Sequence, residues 1–270
     1  MNINTYQWSV PISLNTNFLS GYTYNKLCKW SVCPRYTQNF DINNLLENDL
    51  VFLNLDYYEI FFNYLSINNP KNKFILVTQN SDRDFTSQMF ESIKGYTSKI
   101  LAVNCTVSND MIVKIPLGFN DQSTAFLDRK DFTFKDKNNL IYMNFKLHHH
   151  SDRPVCYDYF RKFDWVDIEN GILPVDSFYD KLNTFKYCIS PRGAGIDTHR
   201  IYESLLFGVI PIIKKSELDD LYRKFPVIIV NDWDEIDYDF LNDNYEYYLE
   251  KYFNWINNNK NWYKSEFWIK

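Results

Sequence analysis

The chain has 270 residues and a formal net charge of −5. That balance argues against a nucleic-acid partner, because such proteins present basic surfaces to the phosphate backbone. Hydrophobic residues make up 45%, enough for a sizeable core in one large or two small domains, yet no apolar run is long enough to cross a bilayer.

The opening residues, MNINTYQWSVPISLN, lack the charged start and apolar centre of a secretory leader. The five cysteines (Cys28, Cys33, Cys105, Cys156, Cys188) are scattered and odd in number, which fits reduced thiols better than a disulfide framework. Cys28 and Cys33 form one close pair, but no second pair follows to complete a zinc site. The expectation is a cytoplasmic protein.

Residues 1–45 carry short aromatic clusters without a clear period. From there strands and helices alternate. Asp49–Leu53 reads as a strand and Tyr57–Leu65 as a helix. Phe74–Thr78 is a buried strand that ends in Gln79-Asn80-Ser81-Asp82. Ser87–Lys94 reads as a helix, and Ile100–Val103 and Ile112–Pro116 as strands. The stretch 127–139 is the most charged and has no periodicity, so a domain boundary is placed there, dividing 1–132 from 133–270. The second half opens with strand Leu140–Met143, followed by Asn144 and a polar loop with His148, His149 and His150. Helices over Val155–Phe163 and Ser177–Leu182, strands over Tyr187–Ser190, Val209–Ile213 and Pro226–Val230, and an aromatic helical tail from Tyr245 to Trp268 complete it. This alternation predicts an α/β fold with parallel sheets, whose ligands gather beyond the carboxyl ends of the strands.

The densest stretch is KYCISPRGAGIDTHRIYESLLFGVIPIIK, residues 186–214. It reads as strand, glycine turn, helix, strand. Three of the chain's seven glycines, Gly193, Gly195 and Gly208, fall in it. Glycine is required where φ is positive or where a backbone must approach a ligand closely. Asp197 or Thr198 can cap the helix, and Gly208 fits the position that ends it. A glycine turn that opens a helix favours an anion, through free N–H groups and the helix dipole. Arg192 in the turn and Arg200 in the first helical turn suit a diphosphate, and Glu203, one turn deeper, can accept from ribose hydroxyls. The same residues also read as an ordinary βαβ unit with a surface Arg–Glu pair.

SPRGAGIDTHRIYESLLFGVIPII resembles the donor-binding motif of exostosin-like glycosyltransferases. FILVTQNSD (74–82), KIPLGF (114–119) and LIYMNF (140–145) with Arg153 follow in the order and rough spacing of that family, so the likeness covers about residues 50–235. The resemblance implies a GT-B fold: two Rossmann-like domains facing across a cleft, an acceptor domain first, a nucleotide-sugar domain second, and a C-terminal helix that returns to the first. It implies transfer of a sugar from a nucleotide-diphosphate donor, a UDP-sugar, to a glycan or glycoprotein, with inversion and without a divalent metal. Asn144, Arg153, Arg192, Gly193, Gly195, Arg200 and Glu203 are then the donor residues. Asp82, of the NSD run, is the base that deprotonates the acceptor hydroxyl.

Three rivals stand beside this reading. Asp82 and Asp84 spell the D-x-D of a metal-dependent GT-A enzyme, in which hard carboxylate oxygens hold Mn²⁺ or Mg²⁺. Asp232/Asp234 and Asp237/Asp239 spell the same pattern, which makes it cheap in an acidic chain. A second rival makes Asp82 only a cap for the helix that follows. The third is a module that keeps the fold and binds nucleotide or carbohydrate without turnover. His148–His150 cannot all face one ion from a regular element, and His199 is as readily a surface residue as a ligand.

Overall fold

The computed structural model describes residues 17–36 and 40–269; the leader reading above concerns residues outside that set. The alternating runs form an α/β protein with two all-parallel five-stranded sheets, each in its own unit. Residues up to 122 together with 264–269 make unit 1, and 123–263 make unit 2. The charge pattern pointed to a division at 132/133; the contacts divide the chain at 122/123.

Unit 1 holds α1 (Gly21–Leu27), β1 (Trp30–Val32), β2 (Leu50–Asn54), α2 (Tyr58–Asn68), β3 (Phe74–Gln79), α3 (Ser87–Ile93), β4 (Thr97–Ala102) and β5 (Ile112–Lys114). Its sheet runs β1-β2-β3-β4-β5, in chain order without reversal. Right-handed crossovers that all step the same way put their helices on one face. Accordingly Val51, Leu53, Leu76 and Ile100 share one core with Phe61 and Leu65 of α2 and Phe90 and Ile93 of α3. Phe52 turns to the opposite face, where the Tyr36 ring meets it at 5.6 Å and Tyr22 of α1 follows at 6.0 Å from Tyr36. Burial on both faces is why these strands read as continuous apolar runs.

Unit 2 holds α4 (Thr124–Leu127), β6 (Asn139–Met143), α5 (Asp152–Phe160), β7 (Val166–Ile168), α6 (Val175–Leu182), β8 (Phe185–Ile189), α7 (His199–Leu206), β9 (Ile210–Lys214), α8 (Asp219–Tyr222), β10 (Ile228–Val230) and α9 (Tyr238–Asn258). Its sheet order is β10-β9-β8-β6-β7, so the winding reverses between β6 and β8. On one face Tyr179 of α6 donates to Glu203 of α7 at 3.2 Å. On the other, Tyr187 of β8 donates to the Leu241 carbonyl of α9 at 2.8 Å.

The buried Lys137 ties the ends of α6 and α7 together. Its Nζ donates to Asn183 O, Asn183 Oδ1 and Phe207 O at 2.7, 2.6 and 2.7 Å. Gly208 ends α7 at φ +68°, the left-handed conformation that favours glycine there. The tail helix starts earlier than its aromatic pattern suggests, because Asp237 caps it by accepting from Phe240 N at 2.7 Å. Helix α9 belongs to unit 2 and residues 264–269 to unit 1, where the Ser265 and Thr23 hydroxyls meet at 2.6 Å. No helix among the described residues is long and apolar enough to cross a membrane.

Candidate functional site

The reversal between β6 and β8 opens the crevice where α/β sheets bind ligands. Asn144 leaves the end of β6, and the turn 190–198 leaves the end of β8. Thr198 caps α7 by accepting from Arg200 N at 3.1 Å. Asp197 does not cap the helix. Its buried carboxylate accepts from Thr198 N (2.8 Å), Tyr202 OH (2.5 Å) and Tyr222 OH (3.1 Å), which fastens the turn to α7 and α8.

Neither Gly193 nor Gly195 has a positive φ; among the described glycines that conformation belongs to Gly118 and Gly208. At Gly193 the constraint is a close contact instead, one that a shift of a few tenths of an ångström would relieve. A Cβ there would stand 3.3 Å from Arg153 Nη2. Among the described residues, none of the amides of 192–196 donates to an acceptor within the protein.

The seven residues named from sequence as donor contacts come from three separate stretches and meet here. Arg200 Nη1 donates to Asn144 O at 2.9 Å, and its Nε to Glu203 Oε2 at 3.3 Å. Its guanidinium lies 4.1 Å from the Phe178 ring centre. Arg153 Nε donates to Arg192 O at 2.8 Å and its Nη1 to Lys146 O at 2.9 Å. The Asn144 amide is spent on Glu169 O (2.9 Å) and Gly171 O (3.1 Å). Glu203, 7% exposed, accepts from Tyr179 and Arg200 inside the packing. Three of the four charged side chains thus face protein partners.

Arg192 is the exception. Its Nε is buried and has no acceptor among the described residues, and the residue lines a cavity of about 310 Å³ beyond the ends of β8 and β9. Ile196, Ile201 and Ile213 give this cavity an apolar wall, and His150, Lys214 and Tyr222 also line it. Burial, reinforced by the Arg192 charge, holds the His150 imidazole below its usual value. Burial alone would pull Lys214 down, but Asp232 at 3.0 Å and Asp152 at 3.3 Å outweigh it and hold the ammonium charged. Sequence reasoning missed Lys214 and Tyr222. The available signal was the placing of Lys214 directly after the Ile210–Ile213 run, at a strand's carboxyl end.

In unit 1, Asp82 stands exposed in the bend after β3 and takes no hydrogen bond among the described residues. The bend is held by its neighbours. Ser81 donates to Asp56 at 2.6 Å, and Arg83 pairs with Glu59 at 2.7 Å. Thr86, not Asp82, caps α3 by accepting from Met89 N, so the capping role is removed from Asp82. Asp232 and Asp237 do serve as caps. His148 and His149 lie ring against ring at 4.5 Å in a short turn, whereas His150 is in the cavity wall. Among the described residues, no three His, Cys, Asp or Glu side chains are grouped to hold a metal ion.

Arg192, the unpaired turn amides and the α7 start can together neutralise a di- or polyanion; the apolar wall beside them can take an uncharged ring. Compared with known proteins, the chain matches no protein-family model and no curated protein.

Proposed function

We propose that the protein is a glycosyltransferase that moves a sugar from a nucleoside-diphosphate donor, a UDP-sugar, to a glycan or glycoprotein acceptor. The supporting observation is the buried Arg192 Nε, without an acceptor among the described residues, in a residue that lines a cavity of nucleotide scale. A buried charged donor left unmatched is costly, and a ligand phosphate oxygen would relieve it.

In this reading the two parallel-sheet units are the halves of an exostosin-like GT-B enzyme, with unit 2 holding the donor. Asp82 accepts the proton of the acceptor hydroxyl as that oxygen attacks the anomeric carbon from the side opposite the diphosphate. The glycosidic bond forms as the bond to the diphosphate oxygen breaks. Arg192 and the N–H groups of the turn then receive the developing charge, without a metal.

A thermal-shift series with UDP, GDP and UDP-sugars, followed by a transfer assay with the donor that binds, tests the proposal. A rise in melting temperature with a nucleoside diphosphate and detectable transfer is expected. Binding without transfer would leave a nucleotide-binding module, and no binding would overturn the reading.

A further inference from the structure

Two arginines named as donor contacts, Arg153 and Arg200, carry hydrogen bonds that a phosphate would have to break. Arg153 carries the most informative set. It sits in the first turn of α5 and is half-buried. Its fork spans two loops: Nε to Arg192 O at 2.8 Å, Nη2 to Pro191 O at 3.5 Å, and Nη1 to Lys146 O at 2.9 Å. Phe145 backs the guanidinium at 5.4 Å.

The peptide unit is planar and trans, so its C=O and the following N–H point in opposite directions. A guanidinium that draws Arg192 O toward itself turns the Gly193 N–H the other way. The weaker contact to Pro191 O does the same for the Arg192 N–H. Two consecutive N–H groups are thereby aimed away from Arg153, and neither has an acceptor among the described residues. Paired N–H groups of this kind form a concave anion cradle. Gly193 completes the arrangement, since a Cβ would crowd Nη2 at 3.3 Å.

We infer that Arg153 is a positioning residue, which sets the peptide planes of the 191–193 turn so that the Arg192 and Gly193 amides meet the donor diphosphate. It does not bind the phosphates itself. This rests on the proposed nucleoside-diphosphate site and assigns that site's charge to Arg192 and the backbone.

The test compares Arg153→Lys, Arg153→Gln and Gly193→Ala for binding of UDP, uridine and inorganic pyrophosphate by the full chain, across a salt series. Lysine keeps the charge but loses the planar fork; glutamine loses the charge but keeps an N–H for Arg192 O. All three variants should bind UDP about tenfold or more weakly, the loss expected from misplaced charge-assisted bonds. Uridine affinity should be unchanged, and the salt dependence of UDP binding should match wild type, since the cations that meet phosphate are the same. Glutamine should do at least as well as lysine. The inference is overturned if lysine retains near wild-type affinity while glutamine loses it with a shallower salt dependence. A variant that loses uridine and UDP binding alike, with a lowered melting temperature, marks a merely structural role and also overturns it. Should the Arg153 variants fail to fold, Gly193→Ala decides, because it alters no charge. Wild-type binding of pyrophosphate but not of UDP would overturn the nucleotide reading and keep the cradle; binding of neither would remove both.

Discussion

Two arginines eight residues apart in sequence have opposite surroundings, and their substitution should separate binding from folding. Arg192→Ala removes a guanidinium whose Nε has no acceptor among the described residues. It should weaken UDP binding by about 1.5–3 kcal/mol in calorimetry and leave the urea midpoint close to wild type. Arg200→Ala strips the buried Glu203 of its cation at 3.3 Å and frees the Asn144 carbonyl. Breaking such a pair should cost on the order of 3 kcal/mol of stability in urea denaturation, whatever happens to binding. A stable Arg200→Ala with lost UDP binding would return Arg200 to the phosphate. Asp82 is exposed and makes no hydrogen bond among the described residues, so Asp82→Asn should change stability by less than about 0.5 kcal/mol. Nucleotide affinity should hold while transfer falls about 10²–10⁴-fold, as for loss of a general base. Near wild-type transfer would shift the base to another carboxylate.

At the scale of elements, the ends of α6 and α7 depend on one lysine and one glycine. Burial brings the Lys137 ammonium down to about 8, with Lys135 adding to it, although three carbonyl oxygens favour its charged form. The folded value lies below the unfolded one, so between about pH 8 and 10.4 the unfolded chain binds more protons at this site. Stability relative to Lys137→Met should therefore rise across that window, by on the order of 3 kcal/mol at most, in denaturation curves at several pH values. A flat difference would mean that the carbonyls restore an ordinary lysine. Gly208→Ala should destabilise by more than about 1 kcal/mol, because φ is +68° and a Cβ would press on Phe134 at 2.8 Å. Elements of this kind were legible where burial leaves a long mark. Phe74–Gln79 and Ile210–Lys214 show as apolar runs because both faces of their sheets are covered. Trp30–Val32 and Val166–Ile168 were missed because a polar residue, Ser31 or Asp167, interrupts each three-residue strand, whereas the equally short edge strands Ile112–Lys114 and Ile228–Val230 lie in longer apolar runs. The turn at 190–198 was legible as a chemical stretch. The acceptors that engage Arg153 and Arg200 were not, since Asn144, Lys146 and Arg192 offer backbone oxygens that any sequence would possess.

For the whole molecule, Arg192 and backbone amides take the leaving charge in the proposed reaction, so turnover should survive EDTA. Loss on chelation that Mn²⁺ restores would move the donor chemistry to Asp82 and Asp84. Unit 2 is one continuous stretch, 123–263, and unit 1 is not. A fragment of 123–263 should therefore fold, bind UDP and show its own cooperative thermal transition; a fragment that stays unfolded would make the two units interdependent. Ser265, fully buried, closes unit 1 through the Thr23 hydroxyl. As the polypeptide leaves the ribosome, the sheet of unit 1 emerges first, but the segment that seals it follows only after all of unit 2. Domains fold largely as units during synthesis. The half that is made first must therefore wait, incomplete, until the half made second has emerged.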